Sequence, residues 1–141
     1  MKKISLLCIL LGTLCLTGCE TTKDVVLDNN GETQLQIRNY QSRSFDTGDK
    51  ERILRATIST LQDFGFIIER ADFMLGTVTA YKADGIHRVK ITVSIRQKGK
   101  DKSVVRANAQ YRTEPIKNPK IYQDFFVALE KSLFLSANAV D

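Results

Sequence analysis

The chain has little of what catalytic and metal-binding proteins use. Only one of its 141 residues, His87, is a histidine, and a serine, threonine or cysteine nucleophile needs a base beside it at neutral pH. His87 stands on the apolar side of an alternating stretch, close to a turn, where a histidine serves as readily in packing as in catalysis. Both readings stay open. One histidine also falls short of the three or four ligands that a zinc site takes, so no metal or other cofactor is expected. No glycine-rich phosphate loop, internal repeat or low-complexity tract occurs. Glu69 and Asp72 come nearest to a carboxylate pair, but they fall at an expected turn, where an aspartate serves local hydrogen bonds. No apolar run reaches the roughly 20 residues that a membrane-crossing helix needs.

What is present begins at the N-terminus. Lys2 and Lys3 precede an apolar stretch from Ile4 to Leu16, about a dozen residues long, in the order of a secretory signal. It ends Leu16-Thr17-Gly18-Cys19, which resembles the lipobox of bacterial lipoproteins, where small residues before a cysteine let the signal peptidase reach the backbone. The resemblance implies cleavage after residue 18, a diacylglyceryl group on the Cys19 sulfur and an acyl chain on its new amino group. The competing reading, an ordinary buried cysteine beside a hydrophobic helix, needs charge, length and spacing to coincide by chance. Several acyl chains make a firm anchor, since each buried methylene contributes about 0.8 kcal/mol and one chain alone holds only marginally. Glu20 follows the cysteine, rather than the aspartate that marks inner-membrane retention in enterobacterial lipoproteins. The outer membrane, on its periplasmic side, is therefore the expected location.

Cleavage removes Cys8 and Cys15 with residues 1–18, leaving Cys19 as the one remaining cysteine and no disulfide to staple the core. Loss of Lys2 and Lys3 lowers the net charge of +5 by two, so the mature chain is mildly basic. Residues 19–32 are polar and carry Asp28-Asn29-Asn30-Gly31, the composition of a flexible tether. Val25, Val26 and Leu27 interrupt it, either as an inert patch or as a segment that docks. Residues 33–141 are expected to form one α+β domain.

Within that domain, the alternation of Leu35 and Ile37 against Gln34, Gln36 and Arg38 suggests a first strand over Gln34 to Ser44. Thr47 as cap, with Asp49 and Glu51 at the positive end of the dipole, predicts a helix from about Asp49 to Phe64. Leu54, Ile58 and Leu61, flanked by Ile53 and Thr57, make its buried stripe. Gly65 ends it in the left-handed conformation and lets Phe66 fold back on Leu61. Strands follow over Phe66 to Arg70 and Thr77 to Lys82, then His87 to Lys98 beyond an Asp84-Gly85 turn, then Ser103 to Thr113. In the third of these, His87, Val89, Ile91, Val93 and Ile95 alternate with Arg88, Lys90, Thr92, Ser94 and Arg96, the pattern of a half-buried antiparallel strand. Asn118-Pro119 opens a closing helix with Tyr122, Phe125, Phe126, Leu129 and Leu133 along one side. The expectation is β-α-β-β-β-β-α, an antiparallel sheet of about four to five strands with two helices packed on one face.

The run Leu61-Gln62-Asp63-Phe64-Gly65-Phe66-Ile67-Ile68, then Asp72, then Leu75-Gly76-Thr77-Val78-Thr79-Ala80, resembles the helix-to-hairpin signature of BamC-type domains. BamC is an outer-membrane lipoprotein of the barrel-assembly machinery, and its helix-grip domains serve protein contact rather than catalysis. Arg43-Ser44-Phe45-Asp46-Thr47, Tyr122-Gln123-Asp124-Phe125-Phe126 and Lys131-Ser132-Leu133-Phe134-Leu135 are similar to segments of small bacterial envelope lipoproteins. That resemblance implies an envelope location, a helix-grip fold and an envelope protein partner. It carries over no binding residue, because BamC has two such domains and a long extended N-terminal segment.

Two features bear on binding. Arg88, Lys90, Arg96, Arg106 and Arg112 share the polar side of neighbouring strands, where same-face residues stand a few ångströms apart. A basic face of this kind attracts headgroups, lipopolysaccharide phosphates, cell-wall carboxylates or an acidic protein surface, or is the water-facing side of a one-sided sheet. Aromatic residues are too sparse on it for a nucleic-acid platform. The second feature is the space between closing helix and sheet, lined by Phe125, Phe126, Leu129, Ile91 and Val93, which either holds an apolar ligand or is core packing. Three functions follow: a non-catalytic scaffold for another envelope component, a carrier or sensor for a lipid or small apolar molecule, and, with least behind it, an enzyme built on His87.

Overall fold

The computed structural model describes residues 31–138. The signal segment, Cys19 with its lipid, and the tether as far as residue 30 lie outside the described residues.

The first element departs from expectation. Gln34–Tyr40 is a helix, α1, and only Ser42–Phe45 is a strand, β1. Thr33 and Gln36 form a capping box: the Thr33 hydroxyl accepts from the Gln36 amide at 3.2 Å, and the Gln36 side chain accepts from the Thr33 amide at 2.9 Å. Two orphan donors are satisfied reciprocally, enough to start a helix in a polar stretch. The Leu35 and Ile37 alternation misleads, because Ile37 is 8% exposed and Leu35 is 68% exposed. The inward residues are instead the buried Ile37 and the partly buried Tyr40, at the three-residue helical step, with Tyr40 packed on the Tyr122 ring at 5.5 Å.

The second helix, α2, spans Lys50–Asp63. Its cap is Asp49 rather than Thr47: the Asp49 carboxylate accepts from the Arg52 amide at 2.9 Å, while Thr47 accepts from the Asp49 amide one step earlier. Ile53, Leu54, Thr57 and Leu61 are buried, joined by Ala56 and Thr60, whereas Ile58 sits at the margin of the core. Gly65, at φ 78°, ends the helix. Its amide bonds the Gln62 carbonyl, and the Phe66 amide reaches back to Leu61 at 2.9 Å, the paired bonds of a Schellman stop.

Strands β2 (Ile67–Asp72), β3 (Thr77–Asp84), β4 (His87–Gln97) and β5 (Ser103–Tyr111) follow as a meander, with β6 (Glu114–Pro115) short on the edge. The spatial order is β1-β5-β4-β3-β2, antiparallel throughout, with β6 on β5. Between β3 and β4 the loop is Gly85-Ile86, with Gly85 at φ 59°, and only glycine takes that first loop position without strain. Helix α3 spans Pro119–Asn138, with the Asn118 side chain accepting from the Lys120 amide.

One sheet face is apolar. Val78, Ala80, Ile91, Val93, Ile95, Val105, Ala107 and Ala109 pack in a single cluster with the α2 stripe and with Tyr122, Phe125, Phe126, Leu129 and Leu133 of α3. Burying each of the larger side chains contributes about 1.5–3 kcal/mol. The α+β class and the two long helices on one face are as expected, and α1 and β6 are additions.

Candidate functional site

The alternation of β4 and β5 places Arg88, Lys90, Arg96 and Arg106 on the sheet face away from the helices, but the structure does not gather them. Arg88 and Arg96 lie eight residues apart on one strand, about 26 Å. Arg106 stands between Ser42 and Ser94, and Arg96 beside Val104. Arg112 is not a sheet residue. It follows β5 in a two-residue loop with Thr113, at φ 58°, because the chain turns there to form β6. Its amide still reaches the Arg88 carbonyl at 3.2 Å.

The five cations thus divide. Arg88, Lys90 and Arg112 border a shallow polar opening that also takes in Glu69, Tyr81 and Gln110. The Lys90 ammonium lies 3.2 Å from the Glu69 carboxylate, and the Arg88 guanidinium lies over the Tyr81 ring at 4.7 Å. Both contacts stabilise the cation in place and lower its pull on an external anion. At the other half of the face, Arg96 is exposed, and the Arg106 Nε is buried without a hydrogen-bond partner among the described residues. The sequence reading placed Glu69 at a turn and missed its contact with Lys90, because Glu69 lies within β2 at a bulge between Ile68 and Arg70 that shifts the register, which no pattern of alternation reveals.

His87 packs edge-on against Tyr111, with centroids 5.7 Å apart. Asp72 serves its own turn, its carboxylate accepting from the Leu75 amide at 2.9 Å. Among the described residues, no group of three or more His, Cys, Asp or Glu side chains comes together as metal ligands would, and no helix is long and apolar enough to cross a membrane.

The second feature is a cavity of about 300 Å³ between the end of α2, the sheet and the start of α3. Ile91 and Phe125 line it, as expected, but Phe126, Leu129 and Val93 do not. Those three are fully buried deeper in the core. Their places on the wall are taken by Phe64, Phe66, Ile116 and Ile121, with Ala109 on the floor and Lys82 and Asp124 among the lining residues. The Lys82 ammonium donates to the Phe64 carbonyl at 2.9 Å. Asp124 faces Lys120 at 2.6 Å. A mostly apolar concavity with a few polar groups suits a small amphiphile. Phe64 and Phe66 flank the helix-stopping Gly65, and that placement was the available signal: the Schellman turn swings both rings to the helix end.

No protein-family model matches the chain, and no curated protein aligns with it significantly.

Proposed function

We propose that the chain is a lipid-anchored lipoprotein of the bacterial envelope, a non-catalytic scaffold that holds its α+β domain at the periplasmic face of the outer membrane and binds another envelope component. The observation that carries this reading is the sequence Lys2-Lys3, apolar Ile4 to Leu16, then Leu16-Thr17-Gly18-Cys19, in which charge, length and small residues all precede one cysteine. On this reading residues 1–18 are the signal, residues 19–32 the lipidated tether and residues 33–141 the domain, with the membrane and an envelope protein as partners and nucleic acid as none.

The likeness to BamC-type helix-grip domains is supported by two long helices lying together on one face of an antiparallel sheet. A non-catalytic role is supported by the local engagement of the reactive candidates: His87 packs on Tyr111, Glu69 pairs with Lys90, and Asp72 caps its turn. The test is the intact mass of the product extracted from membranes, which should exceed that of residues 19–141 by three acyl chains and a glyceryl unit. Cys19→Ser should abolish both the added mass and membrane retention. An unmodified mass defeats the anchor, and whole-cell crosslinking that recovers no protein defeats the scaffold.

The cavity favours a second reading, a binding module for a lipid or small apolar ligand. Native mass spectrometry of the purified chain showing only bare protein would remove it.

A further inference from the structure

We propose that the Phe73-Met74-Leu75 turn between β2 and β3 is a membrane-contact tip, entering the headgroup region of an anionic bilayer while the lysines around it bind lipid phosphates. The proposal deepens the anchored reading and rests on it only for how the chain is brought to a bilayer. Met74 is 90% exposed, Leu75 69% and Phe73 47%, and none of the three belongs to the core cluster. Three consecutive large apolar side chains turned to water have no purpose in folding and mark a contact surface.

The turn is not loose. Asp72 caps the Leu75 amide at 2.9 Å, and the Gly76 amide bonds the Asp72 carbonyl at 2.8 Å. Lys50 Nζ donates to the Met74 carbonyl, and the Ile95 amide to the Gly76 carbonyl, both at 2.8 Å. Polar groups of the turn are thereby satisfied from within, which lowers the cost of moving it out of water. The side chains are presented by a fixed backbone.

The surroundings match an anionic surface. The start of α2 and the loop before it join this turn to the β4–β5 loop: Lys50, the first residue of α2, holds Met74, and Gly48 packs so closely on the Lys100 carbonyl that a Cβ there would overlap it. Lys98, Lys100, Lys102 and Arg96 are all exposed at this end. Of the nearby acids, Asp49 and Asp72 are held by backbone amides and Asp46 lies 3.9 Å from Lys102, so the four exposed cations outnumber the exposed acids Asp46, Asp49 and Asp101. Lysines beside a short apolar insertion add attraction to anionic headgroups. The end of α3 is at the same pole, since Arg52 in the first turn of α2 donates to the Leu133 carbonyl at 2.7 Å.

The chain contains no tryptophan, so a single introduced one reports depth cleanly. The full chain is purified from membranes and reconstituted into vesicles of phosphatidylethanolamine and phosphatidylglycerol with brominated acyl chains. Met74→Trp is compared with Ile86→Trp, a position 94% exposed at the opposite end of β3. In the Met74→Trp chain emission should shift blue and be quenched at least about twofold more than in the Ile86→Trp chain, and Lys98→Glu with Lys100→Glu should reduce that quenching. A chain that floats with the vesicles while the two tryptophan variants are quenched equally overturns the tip alone. A Cys19→Ser chain that floats as well as its parent, with Met74→Trp still quenched, overturns the anchor and supports the tip. No flotation even at low salt overturns both. Unquenched Met74→Trp emission that shifts blue on adding solubilised envelope proteins overturns the bilayer as occupant and assigns the turn to a protein.

Discussion

The Tyr122 hydroxyl donates to the Ile116 carbonyl at 2.5 Å, and that bond sits where strand pairing on the outer edge of β5 lapses. Along that edge β1 serves β5 as far as Arg106, the Gln41 carbonyl takes the Ala107 amide, and beyond it the Ile116 amide takes the Ala109 carbonyl. The Ala109 amide lies between these and donates to the Tyr122 hydroxyl at 3.2 Å, as does the Gln41 side chain at 3.3 Å. One buried hydroxyl therefore satisfies three groups that no strand reaches. Tyr122→Phe keeps the ring and orphans those groups, so it should lower stability by roughly 1–3 kcal/mol. Chemical denaturation measures the loss, and faster amide exchange at Ala109 should accompany it. An unchanged midpoint would mean that water replaces the hydroxyl.

Parts of the fold with a strong local period were legible in the sequence. The period-two alternation of β4 reads directly because one sheet face is covered and the other is not, and the α3 stripe from Tyr122 to Leu133 reads because every member is buried. Gly65 announces its own Schellman turn. Helix α1 was not legible as such, since only Ile37 and Tyr40 are available to define its face, and the ring that Tyr40 packs on lies far along the chain. Alternation likewise set that Arg88, Lys90, Arg96 and Arg106 share a sheet face, but not that Arg112 leaves it for a loop, nor what neutralises the others. The Glu69 contact to Lys90 depends on a bulge, and Tyr81 beneath Arg88 depends on register with β3.

Arg112 occupies a loop position that favours glycine. The loops Gly85-Ile86 and Arg112-Thr113 each join two paired strands, and their first residues have φ of 59° and 58°. Left-handed backbone costs a side-chain-bearing residue about 1–2 kcal/mol, whereas glycine's extra unfolded-state entropy costs about 0.5–1 kcal/mol. Arg112→Gly should therefore raise stability by about 0.5 kcal/mol or more, seen as a higher thermal midpoint. A lower midpoint would show that the Arg112 side chain contributes contacts worth more than the strain.

Tyr40 links α1 to the residues before it, with its hydroxyl 3.2 Å from the Glu32 carboxylate. Burial, reinforced by the Glu32 charge and hydrogen bond and by Tyr122, pushes its pKa up from 10.0 to about 12. A folded pKa above the unfolded one means that the stabilisation is complete below pH 10 and is lost as pH rises through about 12. Stability should decline across that window, and Tyr40→Phe should flatten the decline. The difference between the phenolate absorbance titrations of parent and variant should place the Tyr40 step near 12. A step at 10 would mean that neither the burial of Tyr40 nor its Glu32 contact holds in solution.

The cavity beside Phe125 separates the two proposed functions through the sign of one stability change. Ala109 forms its floor and is paired with Ile91 on β4, so Ala109→Val adds two methyl groups where a β-branched residue suits the strand. In protein refolded from denaturant, free of any ligand, the added apolar burial should stabilise the domain by about 1 kcal/mol. An occupied cavity behaves differently, because a ligand that binds only the folded state adds stability that grows with its concentration relative to Kd, and the variant excludes it. In protein purified without unfolding, the variant should then melt below the parent if an amphiphile is carried there, and above it if the space is an empty gap in packing. Thermal denaturation of the four samples side by side decides between them. A variant more stable in both preparations leaves the scaffold reading without its rival.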